Sequence, residues 1–176
     1  MEAVIRLAPY DVTWPMQFVE EAKALQEALA PWLAGPVEHI GSTSVPGLEA
    51  KPILDMIAPV QDFATASHAA GPLRALGYAS GVHRPHEAHY FYKPEVEHWW
   101  QRTHQLHLTE PTSELWRGRI GFHNALRARP DLRSRYVELK RSLAASLVDD
   151  IDAYAGAKRE FVTEVLASPE AQLDDG

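Results

Sequence analysis

The chain of 176 residues contains no cysteine. Disulfide frameworks, thiolate zinc sites and cysteine nucleophiles are thereby excluded. Positive charge is also short: 17 Lys and Arg stand against 24 Asp and Glu, a formal net charge of −7. Sequence-independent binding of duplex nucleic acid needs many phosphate-facing cations and is not expected. A local basic pocket is compatible with that total, because net charge describes the whole surface. Long apolar runs are missing as well. The longest, residues 53–60, is interrupted by Asp55, whereas a bilayer-spanning helix needs ~20 apolar residues. Residues 1–6 show no basic leader ahead of an apolar run. Neither a signal peptide nor a membrane partner is expected, and the default location is cytoplasmic.

What is present fits one domain with a real core. Hydrophobic residues make up 45% of the chain, and its length is short for two ordinary domains. Residues 4–7 read as an edge strand or an extended arm. Thr13 is a candidate N-cap with Pro15 in the first turn. Phe18, Ala22, Leu25 and Leu29 follow at helical spacing to about Ala30. Residues 37–40 read as a strand, 41–51 as a loop rich in Gly, Ser, Thr and Pro, and 53–58 as a buried central strand. A helix is expected over 61–76, closed by Gly77. Further strands are expected at 87–92 and 103–108. In the second, His104, Leu106 and Leu108 face one way and Gln105 and His107 the other. Ser113 caps a helix to about Arg129, Pro130 starts another to about Leu147, and Asp150 caps a last one to about Leu166. The result is an α+β domain: a mixed sheet with flanking helices over about 1–110, a helical segment over about 111–167, and a frayed tail at 168–176.

The chemistry concentrates in residues 38–55. A strand runs into Gly41-Ser42, then a hydroxyl-rich turn, then a strand carrying the lone Asp55. Gly41 lets the backbone approach a ligand closely. Ser42, Thr43 and Ser44 offer hydroxyls and amide donors that suit phosphate oxygens, and Lys51 adds a charge. A Ser/Thr/Gly cluster alone reads as a turn. Asp55 shifts the balance, because an unpaired carboxylate in an apolar strand costs several kcal/mol unless a cation or donor set offsets it. Later in the chain, Tyr136 and Lys140 stand four apart, as do Tyr154 and Lys158, so each pair shares a helix face. Such pairs would form a second wall that grips phosphate or a base, or else pack as half-buried tyrosines beside snorkelling lysines. The runs His83-Arg84-Pro85-His86 and Trp99-Trp100-Gln101-Arg102 read as loops over the cleft, with Arg84 or Arg102 reaching substrate, or as aromatic packing.

Residues 38–55 resemble the signature of the GrpB family, whose members have a nucleotidyltransferase-like fold. Tyr10, Trp14 and Phe18, the strand with His104 and His107, and the Tyr136/Lys140 and Tyr154/Lys158 pairs extend the resemblance along nearly the whole chain. The family's Arg-Asp pair after phenylalanine is replaced here by His123-Asn124. Some members are joined to dephospho-CoA kinase domains, which implies a nucleotide or coenzyme context. The superfamily pattern places Gly-[Gly/Ser] before Asp-x-[Asp/Glu]. Gly41-Ser42 matches the first part, but Ile53 and Ile57 occupy the two places where a second carboxylate would stand. Two-metal phosphoryl transfer uses several acidic ligands around ions about 4 Å apart. Histidine is the candidate substitute: His39, Asp55 and His107 as an open three-ligand site, imidazole favouring zinc or manganese over magnesium.

These observations give three expected functions. The first is nucleotidyl or phosphoryl transfer. Its expected catalytic residues are Asp55, Ser42 and His107, and its ligand-binding residues His39, Gly41, Ser42, Thr43, Ser44, Lys51, Arg102, Tyr136, Lys140, Tyr154 and Lys158. The partner is a nucleotide or other small phosphorylated ligand, and the cofactor a divalent magnesium, manganese or zinc ion. The second is a non-catalytic nucleotide- or coenzyme-binding module with a degenerate metal site. The third is a metal-dependent phosphoesterase built on His39, Asp55 and His107.

Overall fold

One five-stranded sheet organises the chain. The structure is a computed structural model that describes residues 7–146, 153 and 156–171. In chain order the elements are α1 (Trp14–Leu29), β1 (Glu38–Ile40), β2 (Leu54–Pro59), α2 (Ala70–Ala75), β3 (Ala79–Gly81), β4 (His89–Lys93), β5 (His104–Thr109), α3 (Glu114–Ala128), α4 (Pro130–Ser146) and α5 (Arg159–Leu166). The strand order is β1-β2-β5-β4-β3. β2 and β5 run parallel at the centre, and the other pairs are antiparallel. This is the expected mixed sheet with a helical segment after it. The parallel pairing explains why β2 is apolar on both faces apart from Asp55.

Strand alternation splits the sheet into two unlike faces. Met56, Ala58, Leu106, Leu108 and Phe91 face α1 and α2 and form the main core with Ala22, Leu25, Leu29 and Leu73. On the opposite face, Ile40 and Ile57 meet Leu115 of α3. Beyond that contact the second face is polar. Asp55 pairs with Gln105 and Gln105 with Tyr92; Ile57 pairs with His107 and His107 with Tyr90. Val45 and Leu48 of the loop after β1 anchor α3, α4 and α5 through Leu126, Tyr136, Phe161 and Val165. The helical segment therefore stands beside the polar face, and the strip between them, where Asp55, Tyr92 and Gln105 stay partly exposed, is the candidate cleft.

Three expectations change. Residues 61–76 are not one helix: a 3-10 turn at Thr65–Ala69 precedes α2. Pro72 lacks an N–H and fits only the first turn of a helix, so the α-helix restarts at Ala70. β3 is an added strand: its three residues carry no hydrophobic pattern that would mark it. Residues 168–171 are not frayed: a 3-10 turn places Ala171, 6% exposed, against the helical core. Ser113 does cap α3, its hydroxyl accepting from the Trp116 amide, and Gly77 adopts the expected positive φ of 85°. The expected Asp150 cap lies outside the described residues.

The Ala171 turn yields a test of the helical packing. A methyl on Gly121 would collide with the Ala171 carbonyl oxygen, which is backbone and cannot swing away. Gly121→Ala is expected to destabilise the fold by about 1–3 kcal/mol. Urea unfolding measures it, and an unchanged midpoint would contradict the tight seat.

Candidate functional site

Gly41 and Asp55 meet at the head of the cleft. The β1–β2 register sets Asp55 opposite Ile40, so the chain must turn directly over the carboxylate. Gly41 makes that turn with φ 72° and ψ −172°, a region essentially restricted to glycine. A Cβ there would stand 2.6 Å from Asp55 Oδ2. The next three residues form a 3-10 turn, Ser42–Ser44. Two of its hydroxyls are committed inward. Thr43 Oγ1 donates to the Ile53 carbonyl and meets His39 Nε2 at 3.0 Å. Ser44 Oγ donates to the Gly41 carbonyl and meets His123 Nδ1 at 2.8 Å. Both residues are buried, so their side chains brace the loop rather than a ligand. Ser42 alone turns toward the cleft, where Lys140 Nζ donates to its hydroxyl at 3.2 Å.

The three-ligand set His39, Asp55 and His107 does not assemble. His39 pairs with Met56 and so points to the face opposite Asp55, where it stacks on Phe18 at 4.7 Å between ring centroids. Neighbouring residues on one strand cannot both reach the same side. Asp55 and His107 share the polar face but are offset diagonally, His107 lying opposite Ile57. Among the described residues no group of three or more His, Asp or Glu is placed to hold a metal ion. His39 is thus a loop brace, and the site's one cleft carboxylate on β2 is Asp55.

Cations surround that carboxylate. Burial pushes the Asp55 carboxyl upward, opposed by Arg119, Lys51 and Lys158. Lys51 also lies 4.7 Å from the centre of the Trp99 ring, and burial pulls its ammonium down while Asp55 supports it. Lys140 is 2% exposed; it donates to the Glu49 carbonyl and lies over the Tyr136 ring. Burial lowers its pKa to about 8, with Glu49 opposing and Lys51 adding to the shift. Lys158 falls to about 7 through burial and then through Lys51, Lys140 and Arg119. Burial raises the Tyr136 hydroxyl to about 12. Tyr154, the fourth member of the two expected pairs, lies outside the described residues.

Arg119 is the residue that sequence reasoning missed. It follows buried Leu115 by one helical turn of α3 and therefore faces the sheet. Its charge acts on Asp55, His83, His107, Tyr136 and Lys158. The far half of the floor is aromatic. Arg102 lies 3.7 Å over the Tyr92 ring and donates to the Tyr90 hydroxyl. His107 is 4% exposed, and its Nδ1 has no hydrogen-bond partner. Burial, then Arg119, His83 and Arg84, hold it neutral, well below the ordinary histidine range. Trp99 and Trp100 form a half-buried 3-10 turn. A wide hollow of about 690 Å³ lined by Gly156, Arg159, Glu160 and Glu164 lies elsewhere and contains none of these groups.

The two histidines that brace the loop set an acid limit. Burial lowers both His39 and His123 to about 4, helped by Arg127 in each case. The unfolded chain takes up these protons near pH 6.5 and the fold only near 4, so stability falls as pH drops through that window. Thermal melts from pH 7 to 4.5 are expected to show the loss, and His123→Asn to flatten it. An equal slope in that variant would contradict the assignment.

Comparison with known proteins agrees with this architecture. A UPF0157 protein of Pseudomonas aeruginosa is 36% identical over 166 residues, 92% of this chain and 66% of its own length. A dephospho-CoA kinase of Mycolicibacterium paratuberculosis is 31% identical over 90% of this chain, which spans only 44% of that protein. The crystal structure of conserved protein GrpB from Enterococcus faecalis matches with a TM-score of 0.78 and 32% identity, covering 91% of this chain and 94% of that one. Cid1 in complex with its short product ApU matches in fold alone, with a TM-score of 0.50, 13% identity and coverage of 75% and 40%. The α+β fold expected from the sequence, a mixed sheet with flanking helices and a helical segment after it, is the one observed. A family model described as GrpB protein matches residues 4–168, and the chain belongs to that family.

Proposed function

We propose that the cleft binds the phosphate groups of a nucleotide or other small phosphorylated ligand, and that Ser42 and Asp55 are its reactive edge in a nucleotidyl- or phosphoryl-transferase-like role. One observation carries this reading: Lys51, Arg119, Lys140 and Lys158 act on one another or on the single Asp55 carboxylate, in a chain whose net charge is −7. Four cations that converge on a strip facing one carboxylate leave a local excess of positive charge, which favours an anionic ligand. A phosphate chain is such a ligand, taking hydrogen bonds from the lysines and a fork from Arg119. The match to dephospho-CoA kinase adds coenzyme A precursors to nucleoside triphosphates as first ligands to test.

The donor set does not fit a resident metal pair. One carboxylate ringed by ammonium groups repels a bare divalent ion. It fits magnesium or manganese only as an ion carried in on the ligand's own phosphates, where one protein carboxylate completes the shell. Such an ion would neutralise charge on the phosphates. The chain's own residues do the rest: Gly41 brings the backbone against the carboxylate, Ser42 and Lys140 hold one phosphate oxygen set, and Arg119 closes from the opposite wall.

A second reading rests on Ile57. It is fully buried among Ile40, Ala88 and Leu115, at the place of a second carboxylate. That packing favours a binding module without turnover. Incubation with labelled nucleoside triphosphates, magnesium or manganese, and candidate acceptors separates the two. Transfer lost in Asp55→Asn supports the enzyme. Tight binding without transfer supports the module. Absence of binding removes both.

The lysines also fix the pH response. A bound anion raises both pKa values, so binding at pH 8 takes up protons, and affinity falls as pH rises above the free values of about 7 and 8. Calorimetry in buffers of different ionisation enthalpy reads the uptake. Equal affinity from pH 6.5 to 9.5 with no uptake would contradict the role of the lysines.

A further inference from the structure

Beyond the cationic end, the cleft floor changes character, and the change is specific. Tyr90 and Tyr92 project from β4 onto the polar face beside Gln105 and His107. Their rings lie 6.1 Å apart, and Tyr90 lies 5.0 Å from the His107 ring. His83, from the exposed loop after β3, closes the group at 5.7 Å from Tyr90 and 5.2 Å from His107. The space is made by Gly81, where a Cβ would stand 2.8 Å from the Tyr90 ring and 3.1 Å from the Tyr92 ring. Next to this group, at the β3–β4 edge of the sheet, lies a hollow of about 180 Å³ lined in part by Gly81, His83 and Tyr90 and in part by Ser67, Ala70, His89 and Phe91.

Two buried polar atoms in this region have no hydrogen-bond partner, His107 Nδ1 and Arg102 Nε. Buried polar groups are nearly always paired, so each such exception needs an explanation. The Arg102 guanidinium lies 3.7 Å over the Tyr92 ring and donates to the Tyr90 hydroxyl, which adds a second planar group to the aromatic surface. Aromatic clusters also take organic cations, but Arg102, with Arg119 and Arg84 acting on His83 and His107, makes this one repel them. An anion is already provided for at the lysine end. What fits here is a flat, neutral ring with hydrogen-bonding edges.

We infer that Tyr90, Tyr92, Arg102, His83 and His107 form a second compartment that holds a nucleobase, stacked on the aromatic and guanidinium surface and hydrogen-bonded at its edge. The inference rests on the phosphate-binding reading above and gives that site its ligand class: a nucleotide rather than any phosphorylated metabolite. Stacking on such surfaces is tolerant of sequence, so selectivity between bases falls to the edge contacts of His107 and Arg102.

Calorimetry on the full chain with inorganic tripolyphosphate, UTP and ATP, each with magnesium, tests it. At least one nucleotide is expected to bind about 10-fold or more tightly than tripolyphosphate, the range a single stacked base supplies. His83→Ala and Tyr92→Leu are expected to remove most of that advantage and leave tripolyphosphate binding unchanged, while Tyr92→Phe retains it. Saturation-transfer NMR is expected to show the base protons as the most strongly saturated part of the nucleotide. Tripolyphosphate binding as tightly as both nucleotides would overturn the base compartment alone. Variants that weaken tripolyphosphate and nucleotide equally would overturn it too. Failure of all three probes to bind would overturn the compartment and the phosphate reading together.

Discussion

Gly41→Ala is expected to destabilise the protein by about 3 kcal/mol or more and to abolish ligand binding. Two independent costs coincide at this residue. Its backbone occupies a region that costs a residue with a side chain about 1–3 kcal/mol. The added methyl would also stand 2.6 Å from Asp55 Oδ2 and 2.9 Å from Asp55 Cβ. Asp55 cannot yield, because β2 is paired on both sides. The loop must therefore lift, and with it Ser42 and the hydrogen bond from Lys140. Chemical denaturation measures the first effect and calorimetry with nucleoside triphosphates the second. A Gly41→Ala protein of unchanged stability would mean that the loop does not cross over the carboxylate as described.

The second large effect carries opposite signs in two assays. Lys158→Met with Lys140→Met is expected to weaken phosphate binding by about 100-fold or more, on the scale of two hydrogen bonds to a charged group at about 1.5–3 kcal/mol each. Lys158→Met alone is expected to raise stability at pH 7, on the order of 1 kcal/mol, because replacing a buried charge by an apolar chain of similar volume is often stabilising. The folded protein holds the Lys158 proton less tightly than the unfolded chain, with a pKa near 7 against 10.5. Wild-type stability from this group therefore grows as pH rises from about 7 to 10.5. The stabilisation by Lys158→Met should shrink over the same interval. Loss of stability at every pH would show that the lysine serves the fold and not a ligand.

Much of this site could be read before the structure, and the remainder failed for physical reasons. Asp55 was legible because a single acid in an apolar parallel strand has few explanations. His107 was legible through alternation, since Leu106 and Leu108 fixed the parity of β5. The same rule applied to β1 excludes His39, because Asp55 pairs with Ile40 and not with His39; that register depends on how the glycine loop closes, which spacing does not specify. Thr43 and Ser44 looked like phosphate donors because hydroxyl type says nothing about direction, and both point inward. Arg119 was invisible for the converse reason. An arginine on an amphipathic helix reads as a solvated face, and only the placement of α3 across β1 turns it into the cleft. β3 left no trace because three small residues have no periodicity, yet it carries the glycine that makes room for Tyr90 and Tyr92.

The central claim is that a phosphate group sits between Ser42, Asp55 and the lysines. Crystals soaked in tungstate, a heavy analogue of phosphate with a strong anomalous signal, test it most directly. The account predicts an anomalous peak within hydrogen-bonding reach of Ser42 Oγ and Lys140 Nζ, lost in the Lys140→Met, Lys158→Met double variant. A cleft without a peak, in crystals that hold tungstate at other basic patches, would contradict it.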